Sequence, residues 1–583
     1  MENRTGRMLA AAVIVVSVTL IASQALAADG DLDTTFGTGG TVTTDFATTS
    51  DQAFAMAIQS DGKIVTAGTS SGDFALVRYN TDGSVDATFD GDGRVATSFG
   101  TGEDQAYAVA IQADGRIVAA GSATVGATTD FALARYNTDG SLDTTFDGDG
   151  KVTTSAPGGC CAPEIARGVA VQSDGKIVAA GWYQGAHPLF ALARYTTDGS
   201  LDTTFDGDGW LLSTTDALAN SVAIQSDGKI VAAGVKLFGV ARGFALTRYN
   251  PDGSLDGTFG AGGIVITASG TGLKDAARAV AIQPDGKIVA VGESRSDVGV
   301  PSYFVLVRYG TDGSLDPAFG TGGIVFTDFG YSTDLAYAVA IQCDGKIVAA
   351  GAVIGYRFAL ARYKPDGTLD TTFDGDGKVI TPVGPMFAEA RAVAIQSDGG
   401  IVAAGFSFDA SNYDFALARY ESAAPTCRPD AQIRGGPADA TYLGDDVYNL
   451  NGAGQTLQRR VRPGFGDQFN VRVENDGDCP DTFLVHGAGG SAKFKIAYWS
   501  EGLNVTPEVV AGTFETPELG AGESADLVAY IWAKRGTNQG TWITDRISFS
   551  STRADPLGVA DIVGARVVVN RKAGDFNSQV PIP

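Results

Sequence analysis

Histidine is nearly missing from this chain, with two in 583 residues. Zinc centres and His acid–base pairs therefore have almost no material to draw on. Cysteine is scarce as well, five in all, and no C-x-x-C, H-E-x-x-H or phosphate-binding glycine loop occurs. Basic charge is in deficit: 42 Lys and Arg against 67 Asp and Glu leave −25. That balance repels nucleic acid and anionic membrane surfaces, so neither is expected as a partner. Beyond the N-terminal segment there is no long hydrophobic run, and no membrane insertion is expected. What the chain has in quantity is glycine, 78 residues. With 44% hydrophobic and 9% aromatic residues, that glycine marks turns and not disorder.

Residues 1–27 read as a secretory signal. Arg4 and Arg7 precede the apolar stretch Met8–Ile21, and Ala25-Leu26-Ala27 has the form of a cleavage site. A secreted, extracellular protein is expected. An odd cysteine count leaves at least one thiol without an intramolecular partner. Cys427 and Cys479 lie outside the repeats described next and are expected to form a disulfide. Adjacent Cys160 and Cys161 read as loop residues. Cys343 stands where sister repeats have Ser, Ala or Pro and reads as an incidental turn residue.

The organising feature is a unit present seven times. Ile58-Gln59-Ser60-Asp61-Gly62-Lys63-Ile64-Val65 recurs with variation from Ile111, Val171, Ile224, Ile282, Ile341 and Ile395. Phe-x-Leu-x-Arg-Tyr recurs with arginines at 78, 135, 194, 248, 308, 362 and 419, and Leu/Val-Asp-x-x-Phe ends at Phe36, Phe89, Phe146, Phe205, Phe259, Phe319 and Phe373. Such a period signals a propeller or a solenoid. Each unit reads as four short strands. In the second these are Tyr107–Gln112, Ile117–Gly121, Phe131–Tyr136 and Lys151–Thr154. Alanines alternating with larger residues suit blades packed small face on bulky face.

The phase of the repeat predicts closure. The chain enters with a fourth-type strand, Thr41–Phe46, and leaves the repeats after a third-type strand, Phe415–Tyr420. The first fragment supplies what the last unit lacks and removes two exposed sheet edges. The expected fold is all-β: a seven-bladed β-propeller over 31–420 with 1+3 strand-swap closure, a linker at 421–429, and a β-sandwich over 430–583. Gln-x-Asp-Gly-Lys-Ile-Val, Phe-Ala-Leu-Ala-Arg-Tyr and Leu-Asp-Thr-Thr-Phe resemble the delta-60 repeats of secreted bacterial proteins. The resemblance implies a propeller and offers no catalytic residues. Val473-Glu474-Asn475-Asp476-Gly477 and the alternating strands around it resemble accessory immunoglobulin-like domains.

Residues present in every unit serve something every blade needs. The seven arginines, buried in strands, require partners, and Asp86, Asp143, Asp202 and their equivalents are the candidates. Asp-Gly-Asp-Gly at 90–93, 147–150, 206–209 and 374–377 suggests calcium, the one cofactor considered. The other three copies read Gly-x-Gly-Gly, however, so a positive-φ turn explains all seven and no metal site is assigned. Gly68-Thr69-Ser70-Ser71-Gly72 matches a hydrolase elbow but lacks the helix that must follow, and His486–Gly490 resembles an oxyanion loop only superficially. No catalytic residue is assigned.

The strand order places variable loops on one rim, where binding usually resides. The candidates there are Trp182, Tyr183, His187, Arg295, Tyr331, Tyr356, Phe406 and Tyr413, whose rings could stack on sugars or anchor a protein. The expected function is that of an exported, monomeric, non-enzymatic binding or scaffold protein facing an extracellular protein or polysaccharide. The alternative is an extracellular enzyme acting on a polysaccharide, with carboxylates in the propeller funnel.

Overall fold

The computed structural model describes residues 28–422 except 47–49, 127, 157–161, 186, 237–242, 270–273, 296–300 and 356. Beyond these it describes 429–435, 442, 456–463, 465–475, 481–519, 523–551, 560–569 and 580–581. The expected signal segment, Tyr356, and Cys160, Cys161, Cys427 and Cys479 lie outside the described residues. No helix among the described residues is long and apolar enough to cross a membrane.

Seven antiparallel blades follow one another. The first consists of Asp51–Ile58, Ile64–Ser70, Asp73–Tyr79 and Arg94–Thr97, here strands a to d from the axis outward. The others take residues 104–154, 164–213, 217–267, 274–327, 334–381 and 387–420. The seventh is completed by Thr41–Thr44, which pairs with Tyr413–Tyr420 in the register Thr41↔Ala418 to Thr44↔Phe415. The strand exchange expected from the repeat phase therefore closes the ring. Between the third and fourth blades the chain does not turn, and Trp210–Ile224 runs as one strand of 15 residues shared by both.

Blades pack bulky face on small face. Phe74, Leu76 and Phe89 of the first blade meet Ala106, Ala119, Ala132 and Ala134 of the second, and all are fully buried. Phe36 repeats this at the seam, between Ala53, Ala75 and Val77 on one side and Val402, Phe415 and Leu417 on the other. A tyrosine at the end of strand c reaches back to the preceding blade. Its hydroxyl meets the threonine that ends strand d at 2.7–3.0 Å in six blades, as in Tyr136 to Thr97. In the fourth blade the equivalent position is Ser213, and the buried Tyr249 hydroxyl has no hydrogen-bond partner among the described residues.

The repeated arginines pair as their burial requires. Nε of Arg78, Arg135, Arg194, Arg248, Arg308 and Arg362 donates to Asp86, Asp143, Asp202, Asp256, Asp316 and Asp370 at 2.7–2.9 Å. Arg419 makes the seventh pair, with Asp33, across the seam. The six guanidinium groups also lie over the phenylalanine of the third marker at 4.5–4.8 Å. Arg135 Nη1 extends to the Thr197 carbonyl of the next blade at 2.6 Å. Burial alone would raise the Asp256 carboxyl. The Thr258 hydroxyl and amide and the Arg248 charge outweigh it and hold the group at about 2.

The Asp-Gly-Asp-Gly runs are positive-φ turns. Asp90, Asp147, Asp206 and Asp374 have φ between 47° and 51°, and Gly37, Gly260 and Gly320 occupy the same position at 52° to 55°. A short aspartate tolerates this left-handed conformation better than most side chains.

Cys343 is disulfide-bonded, which corrects its reading as an incidental turn residue. Comparison among repeats shows only that the position accepts small side chains. It carries no information about which segment runs alongside.

The C-terminal unit is a two-layer β-structure. One sheet contains Pro429–Gly435, Phe465–Asn475, Ser524–Ala533 and Phe494–Ser500, and the other contains Thr456–Val461, Ala560–Val569, Trp542–Ser551 and Phe483–His486. Phe469, Val471, Ile531, Phe483, Ile547 and Phe549 form the core between them. Thr506–Ala511 is the one α-helix among the described residues. Around the sequence's oxyanion-like segment, Ala488 N–H donates to Asp545 at 3.0 Å, and Tyr498 donates to the same carboxylate. Those contacts are structural.

Candidate functional site at the propeller axis

Strand a of every blade carries a β-bulge. Register shifts fall between Ala53 and Ala55, Ala106 and Ala108, Ala166 and Gly168, and Ala219 and Ser221. They recur between Ala277 and Ala279, Ala336 and Ala338, and Ala390 and Ala392. The partner strand explains the bulge. Opposite it stands the glycine of the repeated Ala-Ala-Gly, and a Cβ on Gly121 would come within 1.8 Å of the Gln105 carbonyl oxygen. Only glycine admits so close a backbone approach.

The extra residue of each bulge lines a cavity of about 280 Å³ on the propeller axis. Around the ring these residues are Phe54, Tyr107, Arg167, Asn220, Arg278, Tyr337 and Arg391. Beneath them lie a tier of small residues such as Ala55 and Gly168 and a tier of Val with Met56. The scaffold is thus sevenfold and apolar, and the single position that varies in chemistry is the one aimed at the axis. That variation is visible in the sequence as Ala-x-(Ala/Gly/Ser)-(Val/Met)-Ala, with x changing from aromatic to arginine. Reading for what the repeats share passes over it.

The ring is electrostatically uneven. Arg278 makes a two-pronged contact with the buried Glu293 at 2.6 and 2.9 Å. Arg391 pairs with Glu389, and its guanidinium lies 4.0 Å from the Tyr337 ring centre. Arg167 lies 3.8 Å over the ring of Tyr107 and has neither an ion pair nor a hydrogen bond among the described residues. Burial lowers the proton affinity of Arg167, and the charges of Arg278 and Arg391 lower it further. Burial likewise pushes the Tyr337 hydroxyl up to about 12, so it is protonated at neutral pH. The funnel lining contains no Asp or Glu among the described residues. Glu293 and Glu389 stand behind the ring, engaged by arginines.

Aromatic contacts lead outward from this mouth. Phe54 touches Tyr107 at 5.3 Å and Phe406 at 6.5 Å between ring centres. Phe406 meets Tyr413 at 5.5 Å, and Phe408 and Phe387 continue the cluster at 4.8–5.6 Å. Two of the residues expected on the variable rim, Phe406 and Tyr413, are therefore joined to the axis. Phe406 itself is 5% exposed, a wall of the site more than a free ring. Trp182 and Tyr183 are half-buried at the end of strand b of the third blade, and His187 is exposed beyond them. Arg295 is exposed at the end of its strand, and Tyr331 is exposed in the turn before the sixth blade. Trp182, Tyr183 and His187 share the third blade, Arg295 belongs to the fifth, and Tyr331 lies in the turn between the fifth and sixth.

Carboxylates gather elsewhere on this rim. An acid is the first or second residue of strand a in five blades, and each closes the preceding turn by accepting a backbone N–H, as Glu164 does from Ala156 and Asp334 from Phe329 at 2.9 Å. Burial raises Glu164 to about 7 and Asp334 to about 6. At the seam Asp45, Asp51 and Asp414 bring carboxylate oxygens within 4.8 Å of one another. Asp51 is already committed there to the Phe46 amide at 2.7 Å. Burial and these neighbouring charges raise Asp414 to about 6. The Asp-Gly-Asp-Gly turns contribute no member to this trio.

Comparison with known proteins bears on the fold. Seven segments, residues 59–89, 112–146, 172–205, 225–259, 283–319, 342–373 and 396–422, match the model of a β-propeller family described as a domain of unknown function, DUF5122. No curated protein matches the sequence. Among solved structures the chain is similar to a polysaccharide lyase, Uly1, at 13% identity and a TM-score of 0.38, covering 63% of this chain and 89% of that one. It is also similar to a GH43 endo-arabinanase from Bacillus licheniformis at 16% identity and a TM-score of 0.27, covering 44% and 94%. An endo-1,4-β-xylanase from Bacteroides thetaiotaomicron is similar at 12% identity and a TM-score of 0.27, covering 45% and 91%.

Proposed function

We propose that this chain of seven DUF5122 propeller repeats is an exported, non-enzymatic polysaccharide-binding protein that takes its ligand at the axial mouth. The observation that carries the reading is the continuous aromatic path from Tyr413 through Phe406 and Phe54 to Tyr107, ending at a funnel whose lining holds no carboxylate among the described residues. Aromatic faces stack on the apolar faces of sugar rings. Hydrolysis of a glycoside by the usual route needs two carboxyl groups flanking the bond, and the funnel lining supplies none. The delta-60 character of the repeats, the signal at residues 1–27 and an immunoglobulin-like role for the C-terminal sandwich as a spacer or contact module belong to the same reading.

The test is a glycan array with the secreted protein, followed by incubation of every captured polysaccharide and measurement of new chain ends. Capture without cleavage supports the proposal. Cleavage above a heat-inactivated control overturns the non-enzymatic role, and failure to capture any glycan overturns the choice of ligand.

A further inference from the structure

We propose that the axial cavity recognises an anionic sugar unit, one bearing a carboxylate or sulfate group, with Arg167 as the residue that meets the charge. This rests on the glycan-binding reading above and narrows it to a ligand class.

Three cations converge on one small cavity, and among the described residues only two have counter-ions. Arg278 and Arg391 are matched by Glu293 and Glu389. Arg167 is held in place by stacking on Tyr107 alone. In addition, Nε of Arg391 is buried without a hydrogen-bond partner. An uncompensated guanidinium and a vacant buried donor are both unfavourable in the empty protein. A planar carboxylate or a sulfate supplies acceptors in the geometry that arginine forks match. Mutual repulsion among the three guanidinium groups, together with burial, already weighs on Arg167, and an anion would relieve it.

Size and global charge narrow the ligand further. At about 280 Å³ the cavity sits at the small end of ligand pockets, which run to roughly 300–1,000 Å³. It suits one sugar unit, with the Phe54 and Tyr107 rings beside the guanidinium. The chain as a whole carries −25 and repels a long polyanion at a distance. A short acidic oligosaccharide, or the acidic end of a longer one, is therefore favoured over the interior of a densely charged polymer.

The experiment is calorimetric titration with three probes: a galacturonate trisaccharide, a sulfated galactose disaccharide and a neutral galactose trisaccharide. It is run on the wild type, Arg167→Gln, Arg167→Lys and, on the opposite face, Lys364→Gln. At least one acidic probe is expected to bind tenfold or more tighter than the neutral one, and the two acidic arms separate carboxylate from sulfate. Arg167→Gln is expected to erase that preference, Arg167→Lys to keep part of it, and Lys364→Gln to leave it unchanged. Arg167→Gln is also expected to raise the melting temperature of the unliganded protein, which shows that lost binding is not lost folding. Equal binding of acidic and neutral probes, or an unchanged preference in Arg167→Gln, overturns the anionic assignment while leaving glycan binding intact. No binding by any probe, on a protein that also captures nothing on the array, overturns both.

Discussion

Replacing Arg135 with methionine isolates one of the seven buried ion pairs. The substitution removes the bond to Asp143 at 2.8 Å, the bridge to the Thr197 carbonyl of the next blade at 2.6 Å and the contact with Thr145 at 3.2 Å. The side chains of Arg135 and Asp143 are each 4% exposed, so the orphaned carboxylate stays out of water. Breaking such a pair costs about 3–5 kcal/mol. Arg116, which also reaches Asp143 at 3.1 Å, keeps the expected figure near ~3 kcal/mol. In the wild type, burial raises Asp143, but Thr145, Arg135 and Arg116 together hold it below the usual carboxylate range. Without Arg135 its pKa rises. The variant's deficit is then greatest at neutral pH and shrinks as the solution is acidified and Asp143 takes up a proton. The assay is the urea midpoint at pH 7 and pH 4.5 for Arg135→Met, Asp143→Asn and the double variant. The double variant should cost less than the sum of the singles, with a coupling of about 2 kcal/mol. A single-variant loss under ~1 kcal/mol, or a deficit that does not narrow in acid, would refute the claim that these arginines are structural.

Other expectations are as direct. Phe36→Ala and Phe89→Ala remove equally buried rings and should each cost about 3–5 kcal/mol. Only Phe36→Ala should accelerate hydrogen exchange across residues 30–46, because this segment is held to the last blade by noncovalent contacts alone; equal protection in both variants would sink that distinction. Glu164, raised by burial to about 7, contributes stability that is fully present below its unfolded pKa near 4.5 and lost as pH rises through 7. Glu164→Gln should therefore stabilise the protein on the order of 1–2 kcal/mol at pH 8 and leave it unchanged at pH 4.5, read from denaturation midpoints. Peptide mapping without reduction should recover Cys343 in a cross-link. A Cys343 peptide recovered with a free thiol would contradict the bond.

How much of this was legible beforehand depended on whether the information was local and repeated. Strand positions, the Arg–Asp pairs and the ring closure all follow from motifs that recur in phase, because each blade must satisfy the same buried charges and bury the same edges. The axial site was hidden by that same repetition. Its seven members occupy one position between a constant alanine and a small residue, and their meaning appears only when the blades are arranged around an axis. The bulge that turns them inward depends on a glycine in a different strand. Rim aromatics were legible as residues but not as a group: Phe406 and Tyr413 join the axis, while Trp182 and Tyr331 do not. The disulfide at Cys343 was illegible because comparing repeats shows which side chains a position accepts and not which thiol lies beside it.

Closure by a strand from the far end of the chain has a consequence in time. Thr41–Thr44 is made early, yet its partner Tyr413–Tyr420 emerges some 376 residues later, an interval of roughly 20–75 s at usual synthesis rates. Through that interval the short strand has no legitimate partner, although six near-copies of its target appear. Each internal copy is followed closely by its own fourth strand, as Asp73–Tyr79 is by Arg94–Thr97, and is claimed first. Chain order thus acts as a clock that keeps a smaller, prematurely sealed ring from forming.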